Sequence, residues 1–315
     1  MARILITREL PPGALDVLDG HEILGPPASG SMTHDEIKAV APSVEAIICL
    51  LNDRIDADII EAASPASGGR LKIIANAAVG YDNIDIEAAH RLGITATNTP
   101  GVLDETTADT TFLLMLAAAR VASTAEADLR AGQWSGWGIN QYLGHDVHRA
   151  TLGIVGYGRI GRAVARRATG FNMVVLHNSR TPTGEPGYVA DLDELVTGSD
   201  IISLHVPATP ETHHLIDARR IALMKATATI VNTSRGTVID EAALAEALHN
   251  NLLFAAGLDV YEREPAVHPR LLSAPRTVLL PHIGSASAAT RRAIADTAIA
   301  NVLAVLNGKP APNAL

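Results

Sequence analysis

The sequence predicts an α/β protein built from two successive parallel-sheet layers. Short β-branched runs alternate with helix-like segments from Arg3 to Asn98, the alternation breaks at Asn98-Thr99-Pro100-Gly101, and a second strand–helix series begins at Thr151. With 315 residues, 47% of them hydrophobic, the chain can fill two domain cores.

In the first series the strand patterns are "RILITR", "HEILGP", "EAIICLL", "LKIIANA" and "ITATN". Thr33-His34-Asp35-Glu36 reads as a capping box opening one intervening helix, and Asn83-Ile84-Asp85-Ile86 as the opening of another. After the break, "DETTADTTFLLMLAAARVAS" has the pattern of one long, mostly buried helix, which makes this stretch the expected hinge region. The second series offers "TLGIVG", "MVVLH", "DIISLHV", "ATIVNT", "FAAGLDV" and "TVLLPH" as strands. An amphipathic helix over residues 288–306 follows and ends at Asn307-Gly308, before Pro310.

Composition excludes several functions. The net charge of −9 comes without any basic run, which argues against nucleic acid as a partner. No apolar stretch approaches the ~18 residues of a membrane span, and "MARILITREL" begins a strand pattern rather than a signal peptide, so no membrane partner is expected. The single cysteine, Cys49, lies in "AIICLL" and is expected to be core packing in a reducing compartment, the cytoplasm.

"TLGIVGYGRIGRAVARRA" places Gly156, Gly158 and Gly161 as G-x-G-x-x-G between an apolar strand and a helix, with Arg159 and Ile160 inside the loop. In that context two glycines permit a tight turn and close approach to a pyrophosphate, and the third lets helix and strand pack. The helix N-terminus offers free N–H groups to the anion. A dinucleotide is therefore the expected cofactor.

The next strand ends in "VVLHNSRT". NAD-binding chains carry there an acidic residue that holds the ribose hydroxyls and repels a 2′-phosphate; Ser179, Arg180 and Thr181 reverse that preference. A charge-assisted hydrogen bond contributes about 1.5–3 kcal/mol, which favours NADPH over NADH by roughly 10- to 150-fold. The competing reading of Arg180 is a solvated loop arginine, with NADH as cofactor.

In open α/β sheets ligands bind beyond the carboxyl ends of the strands. There the sequence places Arg235 in "VNTSRG", Asp259 and Glu264 in "GLDVYEREP", and His282 in "LLPHIGSAS". A histidine exchanges protons near neutrality, a carboxylate orients it, and an arginine grips a substrate carboxylate through two nitrogens. Singly each is ordinary; jointly they make a site.

Together with "VGYDNID", "GYGRIG", "SLHVPATPETHHLI" and "IVNTSRGTVIDEAAL", these segments resemble the D-isomer-specific 2-hydroxyacid dehydrogenases, most closely their glyoxylate/hydroxypyruvate reductase branch. The resemblance implies two Rossmann-like or flavodoxin-like parallel-sheet domains separated by an active-site cleft. Residues 1–99 with 286–315 would form the substrate-binding domain and residues 100–285 the cofactor domain. It implies that Arg235, Glu264 and His282 are the catalytic residues and that the N–H groups of Val79 and Gly80 cradle the substrate carboxylate, with Leu51 shaping the pocket. Asp259 would hold the nicotinamide carboxamide, and Thr107, His205, Val206, Pro207, Thr212, Thr233, Ser234 and Gly284 would line the cofactor. The implied reaction is reduction of a small 2-keto acid to a 2-hydroxy acid, His282 giving the proton and Glu264 stabilising its imidazolium.

"GQWSGWGINQYLG" carries Trp134 and Trp137. Read alone, they are aromatics packing a domain boundary; the resemblance implies instead that Trp137 reaches the partner subunit's active site in a homodimer and limits substrate size. His145, Asp146 and His148, the His213-His214 pair and Glu87 with His90 read as solvated connections, so no metal is expected. Two alternatives stay open: an NAD-dependent dehydrogenase of phosphoglycerate or a bulkier 2-keto acid, and a non-catalytic NAD(P)-sensing protein.

Overall fold

The computed structural model describes residues 1–26 and 30–315. They form two compact units, Met1–Leu103 with Ala286–Leu315, and Asp104–Ser285.

The first unit is a parallel sheet of β1 (Arg3–Ile6), β2 (Glu22–Leu24), β3 (Ala46–Cys49), β4 (Ile73–Asn76) and β5 (Thr95–Thr97), in the order β2-β1-β3-β4-β5. Helices α1 (His34–Val40), α2 (Ala57–Ala63) and α3 (Ile86–Arg91) lie between successive strands. β3 and β4 are buried at every position, the mark of central strands covered on both faces. Cys49 is fully buried, and burial pushes its thiol far up from the ordinary range. The capping box of α1 forms, Thr33 N–H donating to Glu36 Oε2 at 2.7 Å and Glu36 N–H to Thr33 Oγ1 at 3.3 Å. α3 is capped by Asp85 rather than Asn83: Ala88 N–H donates to Asp85 Oδ1 at 2.8 Å. Asn83 instead donates to the Leu50 and Asp53 carbonyls at 3.1 and 2.9 Å.

The C-terminal helix α11 (Ala288–Leu306) packs over β3 and β4 of this unit. It ends at Asn307 with Gly308 in the left-handed region at φ 71°. Its amphipathicity is weaker than the sequence suggested, because Thr290 and Asn301 lie on its buried face. Asn301 is a tie: its Nδ2 donates to the Asn98 carbonyl and its Oδ1 accepts from Asn313 N–H, both at 3.2 Å.

The second unit holds β6 (Thr151–Val155), β7 (Val174–Asn178), β8 (Ile201–Leu204), β9 (Thr229–Asn232), β10 (Ala255–Leu258) and β11 (Thr277–Leu279), parallel in the order β11-β10-β9-β8-β6-β7. Its helices are α4 (Asp104–Ala119), α5 (Ala122–Arg130), α6 (Arg159–Ala168), α7 (Leu192–Gly198), α8 (Ala218–Leu223), α9 (Glu241–His249) and α10 (Pro269–Leu272). The long run read as one helix is two. Val121 is left-handed at φ 55°, and the Ala119 carbonyl, which a continuing helix would bond internally, accepts His145 N–H at 2.8 Å instead. His145 is accordingly less solvated than its sequence implied, with its ring edge-on to Phe254 at 4.2 Å. Among the described residues no helix is long and apolar enough to cross a membrane.

Asn301→Ala should leave the Asn98 carbonyl and the Asn313 N–H without their partner inside the first unit. A loss of about 1–3 kcal/mol in urea unfolding is expected; an unchanged midpoint would show that the tie is dispensable.

Candidate active site

The strand order of the second sheet reverses between β6 and β8, so the crevice beyond their carboxyl ends is the switch point where doubly wound sheets take nucleotides. The glycine-rich turn sits there. Gly156 is left-handed at φ 94°, and a Cβ on it would lie 2.4 Å from the His205 carbonyl oxygen; one on Gly161 would lie 2.2 Å from the Gly156 carbonyl oxygen. At these two positions the turn is closed to any side chain, whereas a Cβ on Gly158 would meet open space, and α6 begins at Arg159. Both features suit a pyrophosphate against backbone N–H groups. Ile160 packs into the core below, and Arg159 Nε stands 3.4 Å from Asp104 Oδ2.

The residues after β7 and β8 meet this turn. Tyr157, between the first two glycines, stacks on buried His177 with ring centroids 3.7 Å apart, and the Arg162 guanidinium lies 4.8 Å from the centre of the tyrosine ring while pairing with Glu185. Burial, helped by the charge of Arg162, holds His177 below the usual histidine range. Ser179 Oγ donates to the Thr181 carbonyl at 2.7 Å, shaping the turn on which Arg180 stands exposed. Arg180 also helps hold Glu211 below the carboxylate range, behind the larger effect of the Thr209 hydrogen bond. Beyond β8, burial pushes His205 down to about 3, and its Nε2 lies 2.8 Å from Ser203 Oγ. Val206 packs on the core and Thr212 Oγ1 donates to the Pro207 carbonyl at 2.6 Å.

The remaining strands carry the reactive groups. Asn232, the last residue of β9, folds the turn after it: its Nδ2 donates to the Arg235 carbonyl at 2.9 Å and its Oδ1 accepts from Ser234 N–H at 3.0 Å and Ser234 Oγ at 2.8 Å. Thr233 Oγ1 is 2.9 Å from Thr111 Oγ1, one turn along α4 from Thr107. Half-buried Arg235 donates from Nη1 to the Ser234 carbonyl at 2.9 Å.

After β10, Asp259 accepts N–H bonds from Ile283 and Gly284, both at 2.7 Å. Burial raises the Asp259 carboxyl, against the opposing pull of those two N–H groups and of His282. His282 itself is left-handed at φ 55°, a conformation that histidine adopts more readily than most residues but still at a cost. Its Nδ1 lies 2.8 Å from Glu264 Oε2, while Glu264 Oε1 accepts Tyr261 N–H at 3.1 Å. Burial pushes Glu264 up, yet the hydrogen bond and charge of His282, the Tyr261 N–H and the charge of Arg235 outweigh it and hold the carboxyl below its usual range. An ionised carboxylate on Nδ1 fixes the tautomer and leaves Nε2 as the nitrogen that exchanges protons. Tyr261 joins both segments, since its hydroxyl donates to the Leu280 carbonyl at 2.9 Å.

Leu51, Val79 and Gly80 belong to the first unit, on the loops after β3 and β4. Asn76, the last residue of β4, donates to the Gly80 carbonyl at 2.7 Å and to Asn83 Oδ1 at 3.1 Å; Asn98 donates to the Val79 carbonyl at 2.8 Å. With Asn83 bonded to the Leu50 carbonyl, the two loops share one amide network. Sequence reasoning missed these asparagines and Asn232. Their signal was an Asn closing each of the runs "IIAN" and "TIVN". Trp134 and Trp137 are 50% and 80% exposed, near exposed Leu129, Ile139 and Leu143 in sequence. The second of the paired histidines is not simply solvated, because His214 converges with Asp240 and Glu262.

A glycine-lined anion cradle at the switch point of a parallel sheet, with a carboxylate-backed imidazole beyond the same strand ends, defines a dinucleotide-dependent oxidoreductase. The family model for the NAD binding domain of D-isomer specific 2-hydroxyacid dehydrogenases matches residues 112–284. A glyoxylate reductase of Thermococcus onnurineus is 43% identical over 320 residues, covering 98% of this chain and 94% of that protein. Among solved structures, a protein of Thermus thermophilus superposes with TM-score 0.91 at 43% identity, covering 99% of both chains. An NADPH-dependent glyoxylate/hydroxypyruvate reductase from Sinorhizobium meliloti, in complex with NADP and malonate, superposes with TM-score 0.88 at 32% identity, covering 100% of this chain and 96% of the other. The chain belongs to the D-isomer specific 2-hydroxyacid dehydrogenase family and is an NAD(P)-dependent enzyme of that class.

Gly161→Ala forces a Cβ onto the Gly156 carbonyl, a backbone atom that no side-chain rotation can move aside. A loss of about 1–3 kcal/mol on chemical denaturation is expected, as for overpacked cores; a wild-type midpoint would show that the turn relaxes freely.

Proposed function

We propose that the protein is an NADPH-preferring reductase of small 2-keto acids, glyoxylate and hydroxypyruvate foremost, to their 2-hydroxy acids. The observation that carries this reading is the His282–Glu264 pair at 2.8 Å, with Nε2 left for substrate, at the strand ends of a dinucleotide-binding sheet. The names of the relatives, glyoxylate reductase and NADPH-dependent glyoxylate/hydroxypyruvate reductase, support the substrate class.

The bound cofactor supplies hydride to C2 of the keto acid. His282, as imidazolium, donates its Nε2 proton to the alkoxide oxygen forming there, and Glu264 stabilises the cation through Nδ1. Arg235 grips the substrate carboxylate and polarises the ketone. The N–H groups of Val79 and Gly80 serve the same carboxylate; the Ala78 carbonyl of the first peptide accepts Thr99 N–H at 3.0 Å and the Val79 carbonyl of the second accepts from Asn98 at 2.8 Å. Leu51 limits the pocket, and Trp137 does so in the partner subunit of a homodimer, an arrangement that suits its exposure. Gly156, Gly158, Arg159, Ile160 and Gly161 hold the pyrophosphate, and Ser179, Arg180 and Thr181 the 2′-phosphate. Thr107, His205, Val206, Pro207, Thr212, Thr233, Ser234 and Gly284 line the dinucleotide. Asp259, whose oxygens each keep a lone pair beyond the bonds to Ile283 and Gly284, accepts from the nicotinamide amide. Residues 100–285 act as the cofactor domain, residues 1–99 with 286–315 as the substrate domain, and the cytoplasm, where reduced cofactor is plentiful and Cys49 stays a thiol, is the working compartment.

Two measurements test this reading. With glyoxylate, wild type should prefer NADPH to NADH, and Arg180→Ala should erode that preference by roughly 10- to 150-fold, mostly in the KM for NADPH; equal use of both cofactors by wild type would leave Arg180 a surface charge. His282→Ala should abolish most keto-acid reduction while the protein still folds and binds cofactor. Turnover like that of wild type in the folded variant would remove His282 from the proton-donor role.

A further inference from the structure

Glu264 rides on a segment with no helix or strand of its own, residues 259–268 between β10 and α10. Apart from His282, the hydrogen bond that its carboxylate receives among the described residues is the local one from Tyr261 N–H. Something else must fix where that segment lies.

Glu241, the first residue of α9, is only 7% exposed and has both oxygens engaged by the segment: Oε1 accepts Glu262 N–H at 2.6 Å and Oε2 accepts His268 N–H at 3.3 Å. The exchange is reciprocal, since Glu262 Oε1 accepts Glu241 N–H at 3.0 Å. These anchors fall on both sides of Glu264, two residues before it and four after. His214 completes the arrangement, its Nε2 2.9 Å from the same Glu262 Oε1 and its Nδ1 3.9 Å from Asp240 Oδ2. From beneath, Gly236 lets the chain come close: a Cβ there would lie 1.8 Å from the Tyr261 carbonyl carbon.

We propose that Glu241 and Glu262 are positioning residues, a reciprocal carboxylate–amide clamp that sets Glu264 at hydrogen-bond distance from His282. The proposal rests on the proton-donor reading of His282 given above. A clamp of this kind acts on turnover more than on cofactor binding: among the described residues its carboxylates bond the segment of Glu264 and His214, and the glycine turn and the loop after β7 make no use of it.

The test compares the full-length variants Glu262→Ala, Glu262→Gln and Glu241→Gln, with Glu264→Gln as reference, in steady-state reduction of glyoxylate by NADPH, with thermal melts to establish folding. Glu262→Ala should lower kcat roughly 10- to 100-fold, the scale of a small misplacement at a reacting centre, with the KM for NADPH within about twofold of wild type. Glu262→Gln should recover most of the loss, because an amide oxygen still accepts Glu241 N–H. A kcat for Glu262→Ala within about twofold of wild type, in a folded enzyme, overturns the clamp. If Glu262→Ala does not fold, Glu241→Gln takes its place: it keeps one acceptor of two, and a severalfold fall in kcat at unchanged cofactor KM is expected, whereas wild-type kcat overturns the proposal. Should Glu264→Gln itself turn over like wild type, the proton-donor reading fails and the clamp is judged by crystallography alone. Separation of Glu264 from His282 in the Glu262→Ala crystal structure then supports it, and an intact 2.8 Å contact refutes it.

Discussion

The reactive half of the site hangs on one buried carboxylate. Asp259 is 1% exposed, and its two oxygens hold the N–H groups of Ile283 and Gly284 at 2.7 Å each. Taking a carboxylate out of water costs several kcal/mol, and short charge-assisted bonds to both oxygens are what offset it. The effect is geometric: those two amides follow His282 directly, so the bonds lock the chain just where His282 takes its left-handed backbone. Without them His282 has an easier conformation to fall into, and the imidazole points elsewhere.

The same use of backbone runs through the rest of the second sheet. Its carboxyl ends are crowded by main chain rather than by side chains: the Gly156 turn presses on the His205 carbonyl, Gly161 on the Gly156 carbonyl, and Gly236 on Tyr261. Crowding by backbone fixes the course of these turns beforehand, so that holding an anion there costs little reorganisation. The asparagines that end β4 and β9 do the complementary task by consuming the carbonyls of the following turns, at Gly80 and at Arg235.

Much of this was legible in the sequence. The strand runs, the glycine turn, the capping box at Thr33 and the span of the last helix follow from local pattern, because each is set by residues within one or two turns of one another. The break between α4 and α5 was not, since it depends on His145 reaching the Ala119 carbonyl from 26 positions away, and no helical periodicity records that. Nor could the partners of the catalytic set be read. Glu241 lies in the helix-like stretch "DEAAL" as an apparent solvated acid, and only the fold turns it inward toward Glu262. His214 looked like half of an exposed pair for the same reason.

Three imidazoles at the strand ends of the second sheet show how environment sorts one residue type into different tasks. His177 is buried and stacked on Tyr157, His205 is half-buried and bonded to Ser203, and desolvation depresses both from the ordinary histidine range, His205 to about 3. Each is a packing group beside the cofactor turn whose surroundings disfavour the imidazolium. His282 differs in having an ionised carboxylate on Nδ1 and a quarter of its side chain in solvent. Of the three, only that surrounding lets a positive charge be held and its proton handed on from Nε2, so the choice among three equivalent-looking histidines is made by their neighbours.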